Sequence, residues 1–173
     1  MFEYELMSID MIRSKVLACI EDFSDEQINM RSADDKWSIA QLLRHLYDSE
    51  VGITHMVKAA IEKNERKPAK RKPLLMLLDR SIKAKVPKDR APSTDFITKA
   101  QLISMLAESR ANFLKLVNEI SNQEGISEIS ISFPKFESLS IKQCVEFVGL
   151  HELRHFEQLN EIILDNFYVA VSK

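Results

Sequence analysis

Glycine and proline are scarce in this sequence, and the few prolines are unevenly placed. The chain has 173 residues, of which three are glycine and five are proline. Four of the prolines lie between positions 68 and 92. Because both residue types interrupt helices, the remaining stretches can form long helices. The sequence therefore predicts an all-α fold, and its length predicts one domain over residues 1–173.

Cysteine, net charge and long apolar runs are also in short supply. The two cysteines, Cys19 and Cys144, lie far apart without paired spacing, which is typical of reduced thiols and excludes a disulfide framework. The formal net charge of −2 provides no global field that would attract nucleic acid or anionic lipid. The first residues lack a basic segment followed by an apolar run, and no stretch is long enough to cross a bilayer. We therefore expect a cytoplasmic protein without a membrane partner.

Apolar periodicity and capping signals predict four long helices. In the first, apolar residues recur at steps of three and four residues from Leu6 to Phe23. The next three should begin at capping boxes, in which a serine or threonine and a glutamine three residues later satisfy free backbone N–H groups. These boxes are Ser38–Gln41, Thr98–Gln101 and Ser140–Gln143. The predicted helices lie near residues 4–23, 38–64, 99–121 and 141–168, and their apolar stripes indicate a four-helix bundle.

Two connections are long enough to need an interpretation. Between the second and third helices the chain is basic and rich in proline, and we predict a long crossover in which Leu74–Leu78 forms a short helix over the bundle. Residues 122–139 contain alternating isoleucines that are compatible with a short extended segment. For this segment we favour an ordered loop, so the predicted fold has no sheet.

Three of the four histidines have the placement of metal ligands. His151 and His155 are four residues apart, so their rings lie one turn apart on one helical face. His45 lies on the second helix, on the stripe predicted for Leu42 and Met56, and points inward. Imidazole is a ligand for zinc, nickel, copper and iron(II). The alternatives are a surface histidine pair and a hydrogen-bonded histidine in the core, and both stay open from spacing alone.

Other residues near the histidines have candidate roles. Ser49 and Gly52 are small and would leave room for an ion and a bound molecule. Asp48 is a candidate partner for a histidine N–H, and Gln158 is a candidate contact for a bound molecule or for a neighbouring helix. For four further residues we favour a structural role: His55 as a surface or packing residue, Glu152 as a solvated surface residue, Cys144 as a packing thiol, and Trp37 as a residue packed on the bundle beside the cap. We interpret the basic residues 63–72 as a solvated loop.

Three segments resemble the DinB/YfiT-like family of metalloenzymes in order and spacing. Trp37-Ser-Ile-Ala-Gln-Leu-Leu-Arg-His45-Leu is similar to the start of that family's second helix. His151-Glu-Leu-Arg-His155-Phe-Glu-Gln158 resembles its H-x-x-x-H-x-x-Q segment. The stretch from Phe133 to Ser140 resembles its P-x-F-G-x-L-[ST] lead into the last helix, except that Glu137 stands where glycine is frequent.

The resemblance implies a fold, a metal site and a class of chemistry. The family's three metal ligands correspond to His45, His151 and His155, and the implied ion is zinc or nickel. Three protein ligands leave a coordination position open, as in catalytic sites. The resemblance implies either thiol-dependent transfer or isomerisation with a low-molecular-weight thiol, or metal-dependent hydrolysis of a small molecule, in a protein that forms a homodimer. The alternatives are a bundle that binds metal or ligand without catalysis and, on the basic segment alone, a nucleic-acid-binding protein.

Overall fold

The computed structural model describes residues 3–81, 91–133 and 135–168. Its helices, in chain order, are α1 (Glu3–Ala18), the short α2 (Asp25–Asn29), α3 (Ile39–Lys63), α4 (Lys99–Ile120) and α5 (Ile141–Ile163). Helix α3 packs against both α4 and α5, and α1 packs against α5. The predicted four-helix bundle is therefore confirmed, with α1, α3, α4 and α5 as its long helices.

Two of the three predicted capping boxes form as expected. The Gln41 N–H donates to Ser38 Oγ at 3.1 Å, and the Ser38 N–H donates to Gln41 Oε1 at 3.0 Å. Thr98 and Gln101 make the same exchange at 2.9 and 3.2 Å. Each box satisfies two N–H groups that have no partner within the helix, which fixes the first residues of α3 and α4.

The third predicted box is only half formed. Ser140 Oγ accepts from the Gln143 N–H at 3.3 Å, but the Gln143 side chain does not return the bond. Its amide group instead donates to Lys72 O at 2.8 Å and accepts from the Lys72 N–H at 3.2 Å. Gln143 thus attaches the crossover segment to the first turn of α5.

The ends of the first and last predicted helices are corrected by the structure. Helix α1 ends at Ala18 and not near Phe23, because Ser24 caps α2 and needs an extended backbone, with φ −75° and ψ 168°. Between them, Phe23 N–H donates to Ile20 O at 3.2 Å in a tight turn. Helix α5 is α-helical to Ile163 and continues as a π-helical turn over Leu164–Tyr168.

The prediction that residues 122–139 form a loop without a sheet is wrong for the second half of that segment. Strands β1 (Ser130–Phe133) and β2 (Glu137–Ser140) pair in an antiparallel hairpin that leads into α5. The hairpin forms because Ile131 and Leu139 face each other across it and are 5% and 0% exposed. Glu137 has φ 60°, a left-handed conformation that favours glycine, which explains why the resembling family often has glycine there. Pro134 lies outside the described residues.

The crossover between α3 and α4 packs on the bundle. A 3₁₀ helix forms over Leu74–Leu78, as predicted, and contacts α5. Leu74 is buried, and Arg154 Nη1 on α5 donates to Leu77 O at 2.6 Å. Residues 82–90 of the predicted crossover lie outside the described residues. In the described part of the chain, no helix combines the length and the apolar character needed to span a bilayer.

The core consists of two apolar clusters with a layer of charge between them. One cluster includes Ile9, Ile53, Phe113 and Val148, and the other includes Val16, Leu46, Leu106 and Leu159. In each long helix one buried charged residue lies between the two clusters in sequence. We call these four residues the buried charge layer: Arg13, Glu50, Arg110 and Glu152, exposed by 7%, 3%, 6% and 2%.

The capping box of α3 yields a testable prediction, because that helix carries His45. Replacing Ser38 with alanine should lower the free energy of unfolding by about 1 kcal/mol, since it removes the acceptor for the Gln41 N–H. Urea denaturation measures the change. The control is Ser14→Ala, which removes an exposed hydroxyl from the middle of α1 and should change the stability by less than about 0.5 kcal/mol. Equal losses in the two variants would contradict the prediction.

Candidate metal centre

The packing of α3 on α5 brings three histidines together. His151 and His155 lie one turn apart on α5, and their Nε2 atoms are 3.1 Å apart. The ring of His45, on α3, lies 4.8 Å from that of His155 and 5.2 Å from that of His151 between centroids. One ring nitrogen from each histidine lies within 4.8 Å of the others. This is the geometry in which three imidazoles can share one ion.

Burial keeps all three imidazoles neutral. Burial is the main cause, and the neighbouring His45 a smaller one, of the lowered pKa of His155, which is about 3. Burial also lowers the pKa of His151 well below its ordinary value, and it lowers that of His45. A neutral imidazole has a free lone pair on one nitrogen, which is the form that binds a metal ion.

Gln158 orients one of the histidines. Its Oε1 lies 2.9 Å from Nδ1 of His155. Because an amide oxygen can only accept a hydrogen bond, Nδ1 of the neutral ring carries the proton and Nε2 has the lone pair. That lone pair is on the side of His151. Gln158, about one turn after His155 on α5, therefore orients the His155 ring.

Asp48 does not contact any described histidine. It lies on an exposed part of α3, where both carboxylate oxygens accept from Arg44 Nε at 2.9 and 3.1 Å. The expectation that Asp48 holds a histidine N–H is thus replaced by an ion pair within its own helix. At longer range its charge raises the pKa of His45, opposing the effect of burial.

Aromatic side chains line two sides of the histidine cluster. Phe147 stacks on His151 with ring centroids 5.3 Å apart and an interplanar angle of 17°. Phe133 of the hairpin lies against Phe147, at 4.6 Å between centroids. Trp37 packs on the core beside the α3 cap, as expected, and its ring is 5.2 Å from that of His45. These rings shield the imidazoles from water and explain part of their low pKa values.

The two small residues near His45 lie beside space that no side chain fills. The inward stripe predicted for this helix is only partly right. A Cβ atom built on Gly52 would meet no heavy atom within 4 Å. Ser49 lines a small cavity that reaches His151. Met56 is 36% exposed and so does not share the inward face of Leu42. His55 is exposed, and Cys144 is a fully buried thiol whose pKa is raised by burial to about 12, as expected for packing.

The expectation that Glu152 is a solvated surface residue is wrong. Glu152 accepts from Arg13 Nε and, at 2.5 Å, from Arg110 Nη2. Glu50 accepts from Arg110 Nε at 2.7 Å and from Arg13 Nη2 at 3.3 Å. Burial opposes the charge on Arg110, but the two carboxylates outweigh it and raise its pKa. Each carboxylate therefore bridges both arginines, and the net formal charge of the layer is zero.

Three members of the buried charge layer were not predicted from the sequence. Arg13, Glu50 and Arg110 each occupy an inward position on an apolar stripe, three or four residues from apolar core positions on either side. Charged residues are almost never fully buried unless they are paired. The signal available in the sequence was one charged residue at an inward position of each long helix, with two basic and two acidic residues in all.

The basic segment is largely neutralised by acids. Its arginines pair with Glu128 at 3.3 Å and Glu146 at 3.2 Å. Lys67 and Lys72 pair with Glu65 at 2.8 Å and Glu137 at 3.1 Å. Most of these charges are exposed, as predicted for a solvated crossover. The local acids reduce the positive field that nucleic-acid binding would require.

The low pKa of His155 makes the metal-free protein sensitive to acid. Below about pH 6.5 the unfolded chain takes up a proton at this histidine, whereas the folded chain does so only near its own pKa of about 3. The stability that neutral His155 contributes is therefore fully present above about pH 6.5 and is lost as the pH falls toward about 3. From pH 7 to pH 5, wild type should lose about 2 kcal/mol more stability than His155→Gln.

Urea denaturation in the presence of a chelator at the two pH values measures this difference. The control is His55→Gln, which changes an exposed histidine outside the cluster and should keep the wild-type dependence. An identical pH dependence in wild type and His155→Gln would show that His155 is protonated as easily in the folded chain as in the unfolded one.

Comparison with known proteins supports the resemblance seen in the sequence. YuaE of Bacillus subtilis strain 168, an uncharacterized protein, is 29% identical over 143 residues, covering 83% of this chain and 87% of that protein. YfiT from Bacillus subtilis, described as a probable metal-dependent hydrolase with an unusual four-helix bundle topology, superposes with a TM-score of 0.63 at 17% identity. The alignment covers 93% of this chain and 85% of YfiT. The sequence model of the DinB superfamily matches residues 8–159, and the chain belongs to that superfamily.

Proposed function

We propose that this protein is a divalent-metal-dependent hydrolase of a small molecule, with His45, His151 and His155 as its metal ligands. The observation that carries the proposal is the convergence of three neutral imidazoles on one point between α3 and α5. Among the described residues, no further His, Cys, Asp or Glu joins this group. A structural metal site would normally have a fourth protein ligand, whereas a catalytic site keeps that position open.

The donor set fits zinc or nickel. Imidazole nitrogens bind both ions, and the site contains no thiolate because Cys144 is packed in the core away from the histidine group. An ion held there would supply a Lewis acid that lowers the pKa of water toward neutrality. The description of YfiT as a probable metal-dependent hydrolase supports hydrolysis as the reaction class.

The chain's own residues provide orientation and shielding for this chemistry. Gln158 holds the Nδ1 proton of His155, which leaves Nε2 free to bind. Phe147 and Trp37 cover the rings of His151 and His45 and reduce the access of bulk water. Glu50 and Glu152 already bridge the buried arginines, so neither is free to remove a proton from a substrate.

Two other functions use the same histidines and are separated by assay. Thiol-dependent transfer or isomerisation would place the sulfur of a low-molecular-weight thiol at the open position, so turnover would depend on added thiol. A non-catalytic metal-binding bundle would retain the ion without turnover on a panel of esters, amides and thiols. Hydrolysis that needs metal and no thiol would support the proposal.

The homodimer and the single domain over residues 1–173 stay predictions. Light scattering measures the oligomeric state.

Replacing any one ligand should strongly weaken metal binding while the bundle stays folded. His45→Ala, His151→Ala and His155→Ala are each expected to lower the affinity for Zn²⁺ or Ni²⁺ by at least about 100-fold, because the loss of even an outer partner costs 10- to 100-fold. Elemental analysis of protein without a histidine tag and titration with each ion measure the change. Circular dichroism checks the fold.

The matched control is His55→Ala, which removes an exposed histidine from the same helix as His45. It should retain metal and activity at the wild-type level. If the three ligand variants bind metal as tightly as this control, the site assignment is wrong. If they lose metal but the wild type has no turnover with or without thiol, the protein is a non-catalytic metal-binding bundle.

A further inference from the structure

The tip of the β-hairpin lies beside the histidine group. Phe133, the last residue of β1, packs on Phe147 at 4.6 Å between ring centroids, and Phe147 stacks on His151 at 5.3 Å. The chain then reverses in a tight turn, in which the Phe136 N–H donates to Phe133 O at 3.0 Å. Lys135 lies within this turn and is exposed. The hairpin thus holds an exposed cation beside the edge of the site that Phe147 and His151 form.

The charge of Lys135 acts on the histidine group. Burial is the largest cause of the low pKa of His151 and the two neighbouring histidines are the next, but the charges of Arg154 and Lys135 lower it as well. Because the energy between two charges falls with their separation, this effect agrees with the place of Lys135 in the hairpin turn. A negatively charged molecule bound at His151 would meet the same field and would be attracted by it.

Other charges that act on the histidines already have partners. Arg80 pairs with Glu161 at 2.5 Å. Asp48, whose charge acts on His45, pairs with Arg44 at 2.9 Å. The buried charge layer is neutral as a whole, because each of its carboxylates bridges both of its arginines. These pairs leave little charge that would compete for an anion at the site.

Lys135 itself is available to bind a ligand. It makes no ion pair or hydrogen bond with any residue of the part of the chain that the structure describes. Glu137, two residues later in the hairpin, accepts from Lys72 Nζ at 3.1 Å. The acid nearest to Lys135 in sequence is therefore bound by another lysine.

We propose that the substrate of the histidine site is a small molecule with a carboxylate group, and that Lys135 binds this group. A lysine ammonium is a point charge with three donors, which suits a single carboxylate. A phosphate group is more often held by a helix N-terminus or by the paired donors of an arginine. The half-buried ring of Phe133 offers apolar surface next to Lys135. The inference rests on the proposed function, because it takes the histidine group as the working site.

The test compares three variants at exposed lysines. Lys135→Met removes the charge and keeps most of the length of the side chain, whereas Lys135→Arg keeps the charge and should restore binding. The matched control is Lys115→Met, which removes an exposed lysine from α4, a helix without a histidine of the site. All three positions changes lie on the surface, and circular dichroism checks that each variant is folded.

The first measurement is the binding of benzoate to the metal-free protein, followed by ¹H–¹⁵N NMR at the amides of the hairpin and of His151. Benzamide, which has the same ring and no charge, is the neutral probe. Lys135→Met should weaken benzoate binding about three- to fivefold relative to benzamide, the size expected for an exposed ion pair. Lys135→Arg and Lys115→Met should bind benzoate as wild type does. The difference should vanish in about 1 M NaCl, where charges are screened within about 3 Å.

The second measurement is hydrolysis by the Zn²⁺-loaded protein of two esters that differ in one terminal group. Mono-para-nitrophenyl adipate ends in a carboxylate, and para-nitrophenyl hexanoate ends in a methyl group. The ratio of kcat/KM for the anionic ester to that for the neutral one should fall about three- to fivefold in Lys135→Met. The ratio should stay at the wild-type value in Lys135→Arg and Lys115→Met.

Equal benzoate affinity in wild type and Lys135→Met, or no binding of benzoate to wild type, would overturn the inference. An equal loss in Lys115→Met would also overturn it, because the effect would then come from net charge. Tighter binding of inorganic phosphate than of benzoate would contradict the choice of a carboxylate. If benzoate binding depends on Lys135 but wild type hydrolyses neither ester, the anion site stands and the proposed hydrolase fails. If wild type hydrolyses both esters and Lys135→Met keeps their ratio, the proposed function stands and this inference fails.

Discussion

The pairing of four buried charges constrains the whole bundle. Apolar contacts are not directional, so two hydrophobic clusters alone would tolerate small rotations and shifts of the helices. The ion pairs of the buried charge layer do not tolerate such movements, because each carboxylate must reach both arginines. Loss of one partner would leave a buried charge uncompensated, at a cost of about 3–5 kcal/mol. The layer thus fixes the rotation of all four long helices at one level of the core.

The same constraint determines where the histidines point. Glu152 follows His151 on α5, and Glu50 lies five residues after His45 on α3. Once the carboxylates are fixed, the two helices can present their imidazoles only in a limited range of directions. The rings then meet in a partly buried site, where desolvation keeps them neutral. Packing, electrostatics and ligand chemistry are therefore linked through residues that do not touch the proposed ion.

Membership of the DinB superfamily agrees with this physical account without replacing it. The family match covers residues 8–159 and so includes all three histidines and the four charges of the layer. The likeness to YfiT, at 17% identity, concerns the fold. The proposal of a metal-dependent enzyme depends on the local chemistry: three neutral imidazoles with one nitrogen each within 4.8 Å of the others, an amide that orients one of them, and aromatic rings around them.

The sequence by itself determined the features that depend on neighbouring residues. The boxes at Ser38 and Thr98, most positions of the apolar stripes and the one-turn spacing of His151 and His155 are local, and the structure has them where they were predicted. Only the tertiary structure decided the rest. It brought His45 to the α5 pair and buried Glu152 between Arg13 and Arg110. It also used Gln143 to hold the crossover and not to complete a cap. The physical reason is that a charged or amide side chain binds whichever partner the packing of other helices brings within about 3 Å, and no local pattern specifies that partner.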